Sequence, residues 1–298
     1  MLVLRYIKEK DIMKMSKKLA IINDLSGFGR CSLTAAISVT TTMGVQACPL
    51  PTAILSSQTG YPSYVHYDFT HEIGEITTEW EKINPMFSGI YIGFISSVEQ
   101  IDEILNFVKK FHHAPTFLMV DPIMGDNGHI FSIFSDEIRS KIKQLTLLAD
   151  IIIPNLTELC ILTDTDYATL QNDKSVAEFL ESIHEIARTY CLQGPAQIVI
   201  TGIRYTNDSG QELIGNSYVT AHTTYHYATP NLGGSYSGTG DLFAACLAAG
   251  IAQNIPVSQI IPQASSFIQA AIADSIAHQV PSIEGINYEK FLHLLYEL

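Results

Sequence analysis

The chain has 298 residues, of which 47% are hydrophobic and 16% are charged, and its formal net charge is -13 at pH 7. This composition allows a large buried core and excludes a disordered chain, while the acidic balance argues against a nucleic-acid partner and favours a small-molecule one. The five cysteines have no metal-ligand spacing, and no apolar run reaches the about 18 residues of a membrane span. Without a signal-peptide pattern either, the sequence predicts a cytoplasmic protein with no membrane partner.

The first segment, residues 1–17, is lysine-rich and contains three alternative start methionines, Met1, Met13 and Met15. We interpret it as an N-terminal extension that lies at the periphery of the protein. The remaining residues, 18–298, show no internal repeat and no interdomain linker. They are therefore expected to form a single domain.

Apolar strands and helix-length segments alternate along this domain. The sequence predicts strands at 19–22, 45–50, 89–94, 117–120, 150–153 and 199–200, and helices at 32–43, 70–83 and 98–111. Nearly continuous apolar strands separated by helices indicate an α/β fold, with a doubly wound, mostly parallel sheet and helices on both faces. Residues 211–227 break the pattern and predict an antiparallel addition, after which helices are predicted at 242–252, 257–277 and 288–298.

Several predicted strands end in a polar or aromatic residue that is suited to ligand contact. These residues are Asp24, Phe94, Asp121, Asn155 and Thr201. In open parallel sheets, ligands bind outside the carboxyl ends of the strands. The sequence therefore predicts one site along this edge.

The glycine-rich run 233–241 ends in Gly238-Thr239-Gly240-Asp241 and leads directly into an apolar helix. Small residues let backbone amides approach an anionic oxygen, and the positive end of the helix points to the same place. The Asp241 carboxylate can accept a proton there, which suits phosphoryl transfer to a hydroxyl group. The alternative is an ordinary glycine-rich loop that ends in an Asp N-cap.

Two further acidic motifs have both a structural and a functional interpretation. Asp121 and Asp126 flank a Gly turn, which is either simple turn chemistry or a site that binds a cation beside phosphates. Asn155 and Glu158 lie three residues apart, and they either cap a helix or supply oxygen ligands to Mg²⁺.

Other ligand motifs are weaker or absent. The loop that contains Asp24 and Ser26 is suited to contact a ligand's polar edge, but it is not a dinucleotide fingerprint. There is also no GxxxxGK[ST] motif, which excludes a P-loop enzyme.

In chain order, the motifs Asn-Asp-Leu-Ser-Gly-Phe-Gly-Arg, Asp-Pro-Ile-Met-Gly-Asp, Pro-Asn-Leu-Thr-Glu and Gly-Thr-Gly-Asp resemble the ribokinase superfamily. The pyridoxal/pyridoxine/pyridoxamine kinase branch is the most similar, and the resemblance covers about residues 18–298. It implies a ribokinase-like kinase domain that transfers phosphate from ATP to the 5′-hydroxymethyl group of a B6 vitamer. It also implies Mg²⁺, often K⁺, and a homodimer.

The same resemblance implies roles for individual residues. Asp241 corresponds to the base, and the amides of Gly238, Thr239 and Gly240 correspond to the anion hole. The positions that handle Mg²⁺ and the triphosphate are matched by Asp121, Asn155 and Glu158, with Asp126 as a further metal candidate, and the nucleotide phosphates are met at Thr201 and Gly202.

Substrate contacts are implied for Asp24, Ser26, Thr59 and Phe94. Thr59 matches a substrate-contacting threonine. Asp24 stands where many pyridoxal kinases carry a serine, and Phe94 stands near a tyrosine that packs on the substrate ring. An Asp at this position suggests pairing with a protonated ring nitrogen or an amine, so the preferred vitamer stays open.

Three other functions compete with this interpretation. Hydroxymethylpyrimidine or hydroxymethylpyrimidine-phosphate kinases resemble the chain but commonly carry Cys after Gly-Thr-Gly, where this chain has Asp241. Sugar kinases of the superfamily usually bring a β-sheet lid, for which the region between Leu50 and Thr70 is too short. A non-catalytic pyridoxal phosphate binder is the third alternative, and the presence of Asp241, Asn155 and Glu158 argues against it.

Overall fold

The computed structural model describes residues 17–171 and 174–296, so all but Lys17 of the predicted extension 1–17 lies outside the described residues. The strands are β1 (Lys18–Ser26), β2 (Gln46–Leu55), β3 (His66–Asp68), β4 (Gly89–Ile92), β5 (Phe117–Val120), β6 (Gly125–Asp126), β7 (His129–Ile130), β8 (Ile151–Ile152), β9 (Gln197–Thr206), β10 (Glu212–Thr220) and β11 (Thr224–Pro230). The helices are α1 (Ser32–Thr42), α2 (Thr70–Ile83), α3 (Val98–Phe111), α4 (Asp136–Leu148), α5 (Leu156–Thr163), α6 (Tyr167–Gln171), α7 (Val176–Cys191), α8 (Thr239–Ala252) and α9 (Val257–Ala277), with 3₁₀ helices at Ser282–Glu284 and Tyr288–Leu295.

In the described part of the chain, the main sheet has nine strands in the order β11-β10-β9-β8-β5-β4-β1-β2-β3. Neighbouring strands from β9 to β2 in this order are parallel, whereas β3, β10 and β11 are antiparallel additions. This confirms the predicted doubly wound, mostly parallel fold. Because the chain runs from β1 to β2 on one side and then to β4 on the other, a crevice opens outside the carboxyl ends of β1 and β4.

Helices cover both faces of the sheet, as strand β1 illustrates. Ala20 and Ile22 pack into a core formed with α2, α3, α4, α5 and α7, whereas Leu19 and Ile21 pack into a second core with α1, α8 and α9. All four side chains are fully buried. This explains why the strand is continuously apolar and does not alternate.

Strand β2 extends five residues beyond its predicted end at Leu50, to Leu55. The sequence did not predict this extension because Pro49 and Pro51 argue against a strand, since proline cannot donate a hydrogen bond to a neighbouring strand. The structure tolerates both, since β3 pairs only with Ala53–Leu55 and leaves that side of the prolines without a partner strand.

Two further differences concern helix ends. Helix α8 begins at Thr239 and not at the predicted 242, so the first turn contains the Thr-Gly-Asp segment. The predicted last helix is a 3₁₀ helix over Tyr288–Leu295, and residues 297–298 lie outside the described part. Its Tyr288 and Leu295 are buried against the α1, α8 and α9 face.

Candidate active site

A cavity of about 590 Å³ lies at the carboxyl edge of the parallel strands. Every candidate residue from the sequence lines it: Asp24, Ser26, Thr59, Phe94, Asp121, Asp126, Asn155, Glu158, Thr201, Gly202, Gly238, Thr239, Gly240 and Asp241. The structure thus brings all the candidates together, while their individual roles stay predictions.

The glycine-rich run forms the start of α8. Gly238 is the N-cap, with a left-handed φ of 81°, and Leu242 N donates the first intrahelical bond to Gly238 O. A Cβ at Gly238 would clash with the carbonyl oxygen of Arg30, so this position requires glycine on both counts. The amides of Thr239, Gly240 and Asp241 precede the first intrahelical donor and are available to an anion in the cavity.

The position of Asp241 removes one of the two interpretations of this motif. Asp241 is the third residue of α8, and the N-cap is Gly238, so the ordinary Asp N-cap is wrong. The Asp241 carboxylate receives a hydrogen bond from Asn23 Nδ2 at 3.2 Å. Burial raises the pKa of Asp241 to about 6, with a smaller rise from the charge of Asp24, whereas hydrogen bonds from the Ser32 amide and Asn23 oppose it. A carboxylate with such a pKa is well matched to a proton acceptor near neutral pH.

Asp24 and Phe94 form the wall between β1 and β4. The Asp24 carboxylate is 7% exposed and accepts a hydrogen bond from Ser26 Oγ at 2.8 Å. Burial raises the pKa of Asp24, opposed by the hydroxyls of Ser32 and Ser26. The half-buried Phe94 ring packs edge-on against Phe134 at 6.3 Å between centroids, so this wall combines one carboxylate with an aromatic surface.

Asn155 and Glu158 form a capping box at the start of α5. Asn155 Oδ1 accepts from Glu158 N at 2.9 Å, and Glu158 Oε2 accepts from Asn155 N at 2.8 Å. Glu158 Oε1 accepts a further bond from Met124 N at 3.1 Å. The capping interpretation is therefore confirmed. A metal role, which stays a prediction, would have to use the remaining lone pairs of these oxygens.

The cavity is strongly acidic. Burial, and then the charges of Glu158 and Asp241, raise the pKa of Asp121 well above its usual range, and burial raises the pKa of Glu158 to about 8. Five carboxylates line the cavity, whereas Arg204 is the one lining Lys or Arg among the described residues. Asp126 is exposed on β6, where it accepts bonds from the amide and side chain of Asn127.

No group of three or more His, Cys, Asp or Glu side chains is arranged to hold a metal ion by itself within residues 17–171 and 174–296. This arrangement differs from a closed metal cage. Mg²⁺ commonly takes only one or two protein carboxylates and completes its shell with water and substrate phosphates, and the oxygen donors present fit that pattern.

Thr201 and Gly202 lie where β9 leaves the parallel part of the sheet. Thr201 forms an isolated parallel bridge with Asn155, and Gly202, with a φ of 67°, donates to Asn216 Oδ1 at 3.1 Å. The bridge places this segment directly beside the start of α5.

The sequence reasoning missed residues that the structure places in or under the cavity. Arg204, Tyr167 and Ser32 line it, and the buried Asn23 reaches Asp241 from β1. Ser32 has a left-handed φ of 51°, which is unusual for a residue other than glycine. The available signal for Asn23 was its place immediately before Asp24 at a strand end. A sequence carries no comparable signal for a left-handed serine.

None of the described helices is at once long enough and sufficiently apolar to cross a bilayer. A family model described as phosphomethylpyrimidine kinase matches residues 31–282. The fold is similar to the crystal structure of a candidate phosphomethylpyrimidine kinase from Bacteroides thetaiotaomicron VPI-5482, with 33% sequence identity, a TM-score of 0.87 and 95% of each chain covered. A second crystal form of a protein with that description, with pyridoxal, is 34% identical, with a TM-score of 0.85 and coverage of 94% of this chain and 96% of that one.

Two curated relatives carry different substrate names. The pyridoxal kinase of Dictyostelium discoideum is 25% identical over 217 residues, which are 69% of this chain and 68% of that protein. The hydroxymethylpyrimidine/phosphomethylpyrimidine kinase of Rhizobium meliloti is 25% identical over 257 residues, which are 86% and 90% of the two chains. These findings confirm the resemblance to the vitamin B6 kinases of the ribokinase superfamily. The chain therefore belongs to the phosphomethylpyrimidine kinase family, and it is a ribokinase-like phosphotransferase that acts on a hydroxyl group.

Proposed function

We propose that the protein transfers phosphate from ATP to the 5′-hydroxymethyl group of a B6 vitamer: pyridoxal, pyridoxine or pyridoxamine. The observation that carries the proposal is the start of α8, where Asp241 and the available amides of Thr239 and Gly240 line the same cavity. The vitamer is supported by the pyridoxal in the crystal form of the protein that is 34% identical.

In this proposal, Asp241 accepts the proton of the substrate hydroxyl as the hydroxyl oxygen attacks the terminal phosphorus of ATP. The bond between that phosphorus and the bridging oxygen breaks, and ADP leaves. Phosphoryl transfer passes through a loose transition state, so the protein contributes mainly in-line positioning and charge stabilisation. The backbone amides of Gly238, Thr239 and Gly240 provide fixed donors for the transferred group.

The charge of the cavity supports a requirement for cations. Five acidic side chains but only one Lys or Arg, Arg204, line the cavity among the described residues, so the protein itself offers little positive charge to a polyphosphate. Asp121, Asp126, Asn155 and Glu158 are the residues that would hold Mg²⁺, and the bound ion would neutralise charge on the phosphates. Thr201 and Gly202 adjoin the same segment and are proposed to meet the nucleotide phosphates.

The wall between β1 and β4 is proposed to bind the substrate ring. Phe94 offers an aromatic surface, and the buried Asp24 carboxylate, held by Ser26, would pair with a protonated ring nitrogen or an amine. Thr59, in an exposed turn at the cavity rim, is the fourth proposed contact. On the strength of the resemblance, we also propose K⁺ activation, a homodimer and a cytoplasmic location.

A second candidate is the phosphorylation of hydroxymethylpyrimidine or its phosphate. The matching family model and the Rhizobium meliloti relative favour it. Against it, this chain has Asp241 where those kinases commonly carry Cys after Gly-Thr-Gly. Both candidates place a hydroxymethyl group on a nitrogen heterocycle in the same cavity, so substrate comparison separates them.

The experiment measures ATP-dependent formation of the 5′-phosphate from the three vitamers and from hydroxymethylpyrimidine, with Mg²⁺, and with or without K⁺. We expect turnover of the vitamers by the native protein and a kcat about 10³-fold lower in Asp241→Asn. Turnover of hydroxymethylpyrimidine alone would show that the second candidate function is the correct one. Binding of pyridoxal phosphate without any turnover would identify a non-catalytic binder and overturn both.

A further inference from the structure

One buried amide of the site has no role in the mechanism above. Asn23, at the carboxyl end of β1, is fully buried, and its Nδ2 donates to Asp241 Oδ1 at 3.2 Å. We propose that Asn23 is a positioning residue that orients the Asp241 carboxylate and favours its ionised form. This inference rests on the proposed function only in treating Asp241 as the base.

The orientation of the Asn23 amide is fixed by its other hydrogen bonds. Asn23 Oδ1 accepts from Asp24 N at 3.0 Å and from Phe94 N at 2.9 Å. Both partners are backbone donors, so the oxygen must lie on that side and the NH₂ group must face Asp241. A primary amide nitrogen can only donate, and therefore its contact favours a carboxylate acceptor.

The surrounding backbone holds this amide in place. A Cβ at Gly93 would lie 2.6 Å from Asn23 Nδ2, so glycine at this position leaves the room that the amide occupies. The register between β1 and β2 also shifts between Asn23 and Leu25. Asn23 thus connects the ends of β1 and β4 where the crevice opens, and its Nδ2 donates from there to the Asp241 carboxylate.

The titratable groups near Asp241 explain why such a donor is needed. Asp24 on β1 and Asp121 after β5 are carboxyl groups coupled to it by charge, and Cys31 before α1 and Tyr91 on β4 are the other two coupled groups. Burial raises the pKa of both the Cys31 thiol and the Tyr91 phenol, so these two stay neutral near pH 7. None of the four brings a positive charge, which leaves donated hydrogen bonds to stabilise the Asp241 anion.

The first test is the pH profile of kcat for Asn23→Asp. This variant keeps an acceptor for the Asp24 and Phe94 amides but removes the donor to Asp241 and adds a second acid. We expect the acid limb of the profile to rise by about one pH unit or more, so that kcat near pH 6 falls by about tenfold or more. The loss should shrink toward pH 9, where both acids are ionised. A defect in orientation alone would instead lower kcat by the same factor at every pH.

A matched control is Gln100→Glu. Gln100 is another fully buried amide, and its Nε2 donates to Thr52 O at 2.9 Å and to Thr70 Oγ1 at 3.1 Å, with no carboxylate among these partners. We expect this variant to lower the unfolding temperature without moving the acid limb of kcat. If both variants leave the acid limb unchanged, Asn23 is structural only and the inference is wrong.

A second measurement does not depend on the substrate. The pKa of Asp241 is followed by carboxyl ¹³C NMR in the ligand-free protein and in Asn23→Ala, with Asp241→Asn used to assign the resonance. A higher pKa in Asn23→Ala supports the inference even if no vitamer is turned over, in which case only the proposed function fails. An unchanged pKa overturns the inference even if the protein is an active kinase.

Discussion

Two clusters of polar side chains in the described structure differ in how their members are paired. Beyond the cavity, His184 Nε2 pairs with Ser217 Oγ at 2.9 Å, Ser217 Oγ with His226 Nδ1 at 2.8 Å, and His226 Nε2 with Tyr205 OH at 2.9 Å. In the cavity, the Asp121 carboxyl is buried near the charges of Glu158 and Asp241, and Arg204 is the one Lys or Arg among the described lining residues. Polar groups that hydrogen-bond to one another stabilise a fold. Buried acidic groups without a neighbouring positive charge are typical of a ligand-binding site.

Among the variants that test the cavity side of this comparison, Asp241→Asn is expected to have the largest effect, on kcat. The variant should lower kcat by about 10³-fold, because general base catalysis is lost while the amide keeps the carboxylate's shape. Initial rates with pyridoxal, together with calorimetric binding of Mg²⁺ and ATP, check this. The exposed Asp208→Asn is the control for charge change alone. A kcat within about threefold of the native value would show that Asp241 is not the base.

The next largest effect is the change in the free energy of unfolding when alanine replaces a glycine at the start of α8. Gly238→Ala should lower the free energy of unfolding by about 3 kcal/mol, because its φ is left-handed and its Cβ would meet backbone. Gly240→Ala is the matched variant, since nothing lies within 4 Å of a Cβ there, and its free energy of unfolding should change by less than about 1 kcal/mol. Thermal and urea unfolding measure both. A loss of less than about 1 kcal/mol in Gly238→Ala would mean that the fold does not require glycine at this position.

These glycines show how far the sequence alone could lead. The residue types of Gly238–Asp241 predicted an anion site before a helix, and the strand ends predicted that Asp24 and Asp121 would meet. The sequence could not identify Gly238 as the N-cap, because the steric conflict with Arg30 depends on a contact between distant segments. In the same way, the donor role of Asn23 depends on the approach of β1 to α8, which no local pattern encodes.

The fold followed the sequence where periodicity is strong and departed from it where proline or long-range contact intervenes. The predicted limits of α2, α3 and α9 coincide with the observed helices. Strand β2 was predicted too short because Pro49 and Pro51 argue locally against a strand, although only the later part of β2 has neighbours on both sides.

A smaller effect is expected from acid on the histidine cluster. Burial lowers the pKa of His226 to about 4, helped by neighbouring His184, whereas an unfolded histidine titrates near its ordinary pKa of 6.5. The unfolded state therefore binds more protons between these values, so this contribution to stability is complete above pH 6.5 and is lost as the pH falls toward 4. The loss is on the order of 2 kcal/mol.

Urea unfolding from pH 7 to 4.5 measures this slope, with His226→Gln as the comparison. The variant should show a shallower decline, and a residual slope is expected from His184, whose pKa burial also lowers. An identical decline in both proteins would mean that His226 is not the acid-sensitive group.

The smallest effect concerns substrate choice. Asp24→Ser should change the ratio of kcat/KM between pyridoxamine and pyridoxal by about five- to tenfold, because it removes a carboxylate that would pair with a cationic group. Thr59→Ser, at the exposed rim, is the control for a mild change in the same cavity. Unchanged ratios among the three vitamers would remove Asp24 from substrate selection.

The capping box at Asn155 and Glu158 has a thermodynamic consequence. The same Glu158 carboxylate that fastens the first turn of α5 also belongs to the acidic wall of the cavity. Any cation that engages this carboxylate is therefore linked to local opening of the helix, and linkage acts in both directions. A loaded site should slow amide hydrogen exchange in the first turn of α5, and a loosened turn should in return weaken cation binding.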